Sequence, residues 1–203
     1  MLGLLASVFV ISLSGALMPG PVFATVLVKS CKSPWAGVQA SLGHAVIEVP
    51  LIILIYFGAA AFFAHTAVQF ILGVAGGGMV VWMGVGMFRA RKAIATGQKD
   101  TPYSPFTAGI VLSAGNPFFL LWWATVGALL VSKAAEFGAG GLWALILTHW
   151  STDLIWMSIV SVVVFRTHRL WAPMLQEGVF ILCSLLLVGF GGWFVVSGLQ
   201  AVI

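Results

Sequence analysis

Residues 35–63 read WAGVQASLGHAVIEVPLIILIYFGAAAFF, an apolar run with His44 and Glu48 near its middle. It is long enough to cross the ~30 Å hydrocarbon core of a bilayer as a helix. The two ionisable residues are four apart, so on a helix they share one face. A second apolar run repeats the device, with His149 followed four residues later by Asp153. A charged residue at a helix centre costs about 2.5–3.5 kcal/mol on insertion scales. An interhelical hydrogen bond that merely locked packing would return on the order of 0.6 kcal/mol. Packing does not offset the cost, so the pairs mark a site for a proton, an ion or a polar substrate.

The remainder of the chain has the same solvent. Of its 203 residues 61% are hydrophobic and 7% charged, against roughly 25% charged in ordinary soluble domains, and mean hydropathy is +1.12. So few charges cannot cover a water-soluble fold, and they cluster between long apolar runs. The fold class is therefore all-α, a polytopic membrane protein with a single transmembrane domain over 1–203. The formal charge of +4 sits in short loops beside apolar segments, which reports topology and gives no nucleic-acid patch. Cys31 and Cys183 have no metal-type spacing and read as small packing residues. There is no His-Glu-x-x-His and no Gly-x-Ser-x-Gly, so enzyme chemistry is not expected and no cofactor is implied.

Six spans are predicted, at Leu2 to Val28, Trp35 to Phe63, Ala67 to Phe88, Pro105 to Val131, Gly141 to Phe165 and Gly178 to Ile203. No Lys or Arg precedes the first run, which continues past Pro21, so it reads as a span and not as a signal peptide. Pro173 argues against a regular helix over Leu170 to Glu177, which is expected to lie along the interface. The first, third and fifth connectors hold eight of the nine Lys and Arg residues, and the fourth holds one. The positive-inside bias then places the odd connectors in the cytoplasm and both termini outside, in the plasma (inner) membrane of a prokaryote.

The two halves, 1–100 and 105–203, carry matching features. The first span has Ser14 and then Pro19-Gly20-Pro21; the fourth has Ser113 and then Gly115-Asn116-Pro117. Spans two and five carry the His/carboxylate pairs, and spans three and six are glycine-rich. Three spans per half is an odd number, so the second half must lie upside down relative to the first, the inverted-repeat plan of many secondary transporters. Spans one and four are expected to be broken helices.

Proline removes an amide hydrogen and restricts its predecessor, and irregular backbone at membrane depth is tolerated where it lines a cavity or is buried in protein. The half-helix after Pro21 would aim amide groups and a positive dipole end at such a cavity, which favours an anionic group. Pro19, Gly20, Pro21, Asn116, Pro117 and Trp122 are accordingly the expected substrate-binding residues. His44, Glu48, His149 and Asp153 are the expected proton-coupling residues, because burial and an adjacent imidazolium act oppositely on a carboxylate. The same four residues can also be read as ligands of one divalent cation if spans two and five meet. A scaffold that transports nothing is a further alternative. Gly73-x-x-x-Gly77 offers a small-residue face for close helix contact, inside the protomer or in a homo-oligomer.

Pro19-Gly20-Pro21 in the first span, Gly43-His44 with Glu48 in the second and Asn116-Pro117 in the fourth resemble the LysE-type amino-acid exporter family (LysE/RhtB translocators). Length, span number and repeat plan agree over almost the whole chain. The resemblance implies export of amino acids or close derivatives from the cytoplasm, driven by the proton gradient, through a site between the two repeats. Its partners would be a small-molecule substrate, protons and membrane lipids. Phe118 stands where many members have a lysine, so the resemblance carries no substrate identity over from the basic or hydroxy amino-acid exporters. The wider superfamily includes divalent-cation exporters, which matches the metal reading of the histidine and carboxylate pairs.

Overall fold

The computed structural model describes residues 1–17, 20–63, 65–95, 103–170 and 173–200, and every regular element among them is helical. The first run forms α1 (Leu2–Ala16) and α2 (Pro21–Ser30), whose axes differ by 74°. Pro21 opens α2 at the one place where its missing amide hydrogen is not needed. Gly20 enters it in extended conformation; Pro19 lies outside the described residues. Helix α3 (Ala36–Leu54) carries the first His/carboxylate pair and runs through a wide turn at Ile55–Ala59 into α4 (Ala60–Phe63). The chain bends there at Gly58, whose φ of 102° lies in the left-handed region that a side chain disfavours.

Helix α5 (Thr66–Ile71) leads through a similar turn at Leu72–Gly76 into α6 (Gly77–Ala95). The fourth predicted run is again divided. Ser104 caps α7 (Pro105–Ala114), accepting from the Thr107 amide at 3.1 Å. After Gly115, Asn116 caps α8 (Pro117–Trp122), which passes through Trp123–Gly127 into α9 (Ala128–Ala135). Helix α10 (Gly138–Thr167) carries the second pair, and α11 (Pro173–Gln200) completes the described chain. Pro173 does not keep its segment irregular: the described residues from it onward are helical, as part of α11.

Among the described residues five helices are long and apolar enough to cross a membrane, or six with α1 and α2 taken as one bent span. Helix α3 packs on α7 and α10, α1 packs on α10, and α6 packs on α11. Glycine sets the closest of these approaches. A Cβ on Gly43 would overlap the Phe106 carbonyl, and one on Gly109 would overlap the Ala40 carbonyl, so α3 and α7 meet backbone to backbone. Gly73 and Gly77 face Gly198 and Gly191 of α11 in the same way, which takes up the small-residue face inside the protomer.

Candidate substrate chamber

Helices α3 and α10 bring the two predicted pairs into one cluster. Glu48 is fully buried, and its Oε1 accepts from His44 Nε2 at 3.1 Å, His149 Nε2 at 2.9 Å and Trp123 Nε1 at 3.2 Å. Asp153 Oδ2 lies 3.5 Å from His44 Nε2 and 3.8 Å from His149 Nε2. An ionised carboxylate only accepts, so both Nε2 atoms present hydrogens to Glu48 and each Nδ1 is left to a second partner. That partner is a serine in each case. Ser12 Oγ of α1 is 2.6 Å from His149 Nδ1, and Ser113 Oγ of α7 is 2.6 Å from His44 Nδ1.

The cluster forms the polar floor of a cavity of about 120 Å³. The ends of the broken helices reach this cavity from both halves, Gly20 and Pro21 from one and Asn116 from the other. Trp122 and Trp123 close one side: Trp122 tilts over the His149 ring with centroids 5.4 Å apart, and Trp123 meets that ring edge-on at 4.8 Å. Phe119 meets His44 edge-on at 4.8 Å. These ring contacts pack against the imidazoles and help to fix their planes.

Two carboxylates and two imidazoles in hydrocarbon constrain one another. With both imidazoles protonated the cluster is neutral overall, and each proton lost leaves one uncompensated negative charge, which is costly at this depth. A bound cation can replace a lost proton. Glu48 Oε2 has the means to hold one, because it is buried and has no hydrogen-bond partner among the described residues. An unfilled carboxylate oxygen is a departure from the normal pairing of buried polar atoms.

Of the residues named from sequence, Gly20, Pro21, Asn116, Trp122, His44, Glu48, His149 and Asp153 all line this cavity. Pro117 does not; it is buried with its ring against the position where Gly76 would carry a Cβ. Asn116 accepts from the Phe118 amide at 3.1 Å, so its carbonyl oxygen serves the start of α8. Ser14, matched to Ser113 from sequence, is exposed and donates to the Ile11 carbonyl of its own helix; Ser12 takes the equivalent place. Ser12 shares a buried stripe with Val8 and Ala16 at four-residue spacing, a stripe invisible in a helix that is apolar on every side. Trp123 follows the second break as closely as Trp122, close enough to be expected on a cavity wall; it lines the cavity, fully buried, and donates to Glu48.

Long apolar helices around a buried ionisable cluster, with a cavity at two helix breaks, define a polytopic integral membrane protein built around a polar chamber. The family model described as LysE type translocator matches residues 13–198, and the chain belongs to that family. It is thus a membrane transporter, with a small-molecule substrate and a lipid environment. No curated protein and no solved structure matches the chain.

Proposed function

We propose that this protein is a secondary exporter of amino acids or their derivatives, driven by the proton gradient across the plasma membrane of a prokaryote. One observation carries the reading: Glu48, a residue that lines the cavity, is buried between both halves with one oxygen held by three donors and the other buried without a partner among the described residues. A proton or an ammonium group can occupy that free oxygen, and not both. Loading the ammonium expels the proton, and protonation expels the ammonium, which is the exclusion that exchange requires. The substrate carboxylate would meet amide groups at the helix breaks.

The crossed serine contacts support an inverted repeat. The broken first run supplies Ser12 to the histidine of α10, and the broken fourth run supplies Ser113 to the histidine of α3. Two elements related by a pseudo-two-fold axis in the membrane plane would exchange partners in this manner. The concentration of Lys and Arg in the odd connectors supports both termini lying outside.

A second reading, export of a divalent cation, rests on His44, Glu48 and Asp153, whose candidate ligand atoms lie within 4.8 Å of one another. Against it, Glu48 Oε1 already faces Trp123 Nε1, a donor that cannot bind a metal. Proteoliposomes loaded with labelled amino acids test both. Acidifying the outside should accelerate efflux and a protonophore should abolish the effect, with manganese and zinc neither carried nor bound by calorimetry. Cation binding that is lost in His44→Ala, without amino-acid exchange, would establish the second reading instead.

A further inference from the structure

Of the three donors on Glu48 Oε1, two are imidazoles and one is an indole. His44 and His149 can each gain or lose a proton, and with it their hold on the carboxylate changes. An indole N–H only donates and does not titrate. The 3.2 Å bond from Trp123 Nε1 is therefore the one of these three that persists while the cluster changes charge.

The chain around Trp123 seats its ring closely. The residue is fully buried, edge-on to His149 at 4.8 Å and nearly perpendicular to Trp122 at 5.2 Å. Trp123 and Gly127 are the first and last residues of the wide turn between α8 and α9, and residues four apart in a helical stretch share a face. A Cβ at Gly127 would overlap the six-membered ring of the Trp123 indole. The glycines at 43 and 109 admit a neighbouring backbone, whereas Gly127 admits the ring of its own turn. Wide turns of this kind recur at functional sites.

Resting on the proton-driven reading above, we infer that Trp123 is a positioning residue for coupling: its indole holds Glu48 Oε1 in place while the imidazoles exchange protons, and Gly127 is the notch that seats the indole. Among the described residues, the titratable groups around Glu48 are His44 on its own helix and His149 and Asp153 on α10. Helices α1 and α7 face the two rings with Ser12 and Ser113. A hydrogen bond to the charged form of a group favours that form. Loss of the indole donor should therefore move the pH of half-maximal exchange upward.

Two measurements on the full chain test this. In indole ¹H–¹⁵N spectra in detergent, the Trp123 signal is assigned by its absence in Trp123→Phe. It should move upfield in Glu48→Gln, whose neutral oxygen is the weaker acceptor, and move in Gly127→Ala, while Gly78→Ala leaves it in place. In proteoliposomes, Trp123→Phe and Gly127→Ala should each raise the pH of half-maximal amino-acid exchange, by about one unit where the donor is lost. A loss of packing alone would lower the rate at every pH and leave that midpoint where it is. Should Trp123→Phe fail to elute as a folded protein, Gly127→Ala keeps the indole and carries the test, with the signal then assigned by its shift in Glu48→Gln. A midpoint unchanged in the folded variants, or tryptophan signals that all stay put in Glu48→Gln, would overturn the inference and leave amino-acid export intact. Exchange that ignores pH in the parent protein would remove the proton-driven reading and the positioning role together.

Discussion

Ser12 Oγ lies 2.6 Å from His149 Nδ1, and through that imidazole α1 is tied to Glu48 on α3. The same pattern runs from Ser113 through His44 to the same carboxylate oxygen, so five side chains from four helices form one hydrogen-bonded chain. The serines hold the rings with Nε2 toward Glu48. Truncating one leaves a buried ring nitrogen unsatisfied, at a cost of about 1–3 kcal/mol. Ser12→Ala and Ser113→Ala should therefore each slow exchange about tenfold or more, while Ser12→Thr retains most of the rate. Ser14→Ala is the control, because that hydroxyl is exposed and donates to the Ile11 carbonyl of its own helix, and it should leave the initial rate of exchange unchanged.

Glu48 is the acceptor on which the chain converges, so its charge decides coupling. Glu48→Gln keeps the volume and one acceptor oxygen but cannot take up or release a proton. Asp153→Asn removes the second negative charge near both imidazoles. Each variant should elute as a folded protein in detergent and lose the response of efflux to external acid. Size-exclusion profiles with pH-jump efflux assays check both parts. Normal acid-driven efflux from both variants would reduce the two carboxylates to a structural role.

The sequence made the ionisable cluster legible because His44, Glu48, His149 and Asp153 contrast with everything around them. The breaks at Pro21 and Asn116 were legible because proline and its neighbours act locally on the backbone. Rotation about a helix axis was not legible. Every face of α1 is apolar, so nothing in the sequence separates Ser12, which faces His149, from Ser14, which faces outward. Trp122 and Trp123 present the same difficulty, since adjacent residues on a helix diverge by roughly 100° and only Trp123 reaches Glu48. The bend at Gly58 depends on tertiary context, and α3 carries no local signal that would separate it from the other glycines.

Adjacent glycines in α6 give a sharp test of the packing against α11. A Cβ at Gly77 would lie 2.7 Å from the Gly191 carbonyl oxygen and 2.9 Å from the Val195 nitrogen, whereas one at Gly78 meets nothing within 4 Å. Overpacking of this kind costs about 1–3 kcal/mol. Gly77→Ala should lower the melting temperature in detergent by several degrees. Gly78→Ala should leave it unchanged or raise it, since alanine is the better helix former by about 1 kcal/mol. Differential scanning fluorimetry on the two variants decides, and equal destabilisation would mean that the α6 face is not the one in contact.

The orientation of the chain in the membrane can be read from two exposed positions on opposite sides of it. Lys32 lies in the connector between α2 and α3, and Glu136 in the one between α9 and α10; both are exposed. The positive-inside bias puts the first in the cytoplasm and the second outside. The native thiols should interfere little, since burial pushes the Cys31 thiol up from its ordinary value and Cys183 is buried, but Cys31→Ser and Cys183→Ser remove them altogether. In that background, a membrane-impermeant maleimide applied to intact cells should label Glu136→Cys and spare Lys32→Cys, and permeabilisation should expose the latter. The opposite pattern would invert the topology, and substrate would then approach the Glu48 cluster from the other face during export.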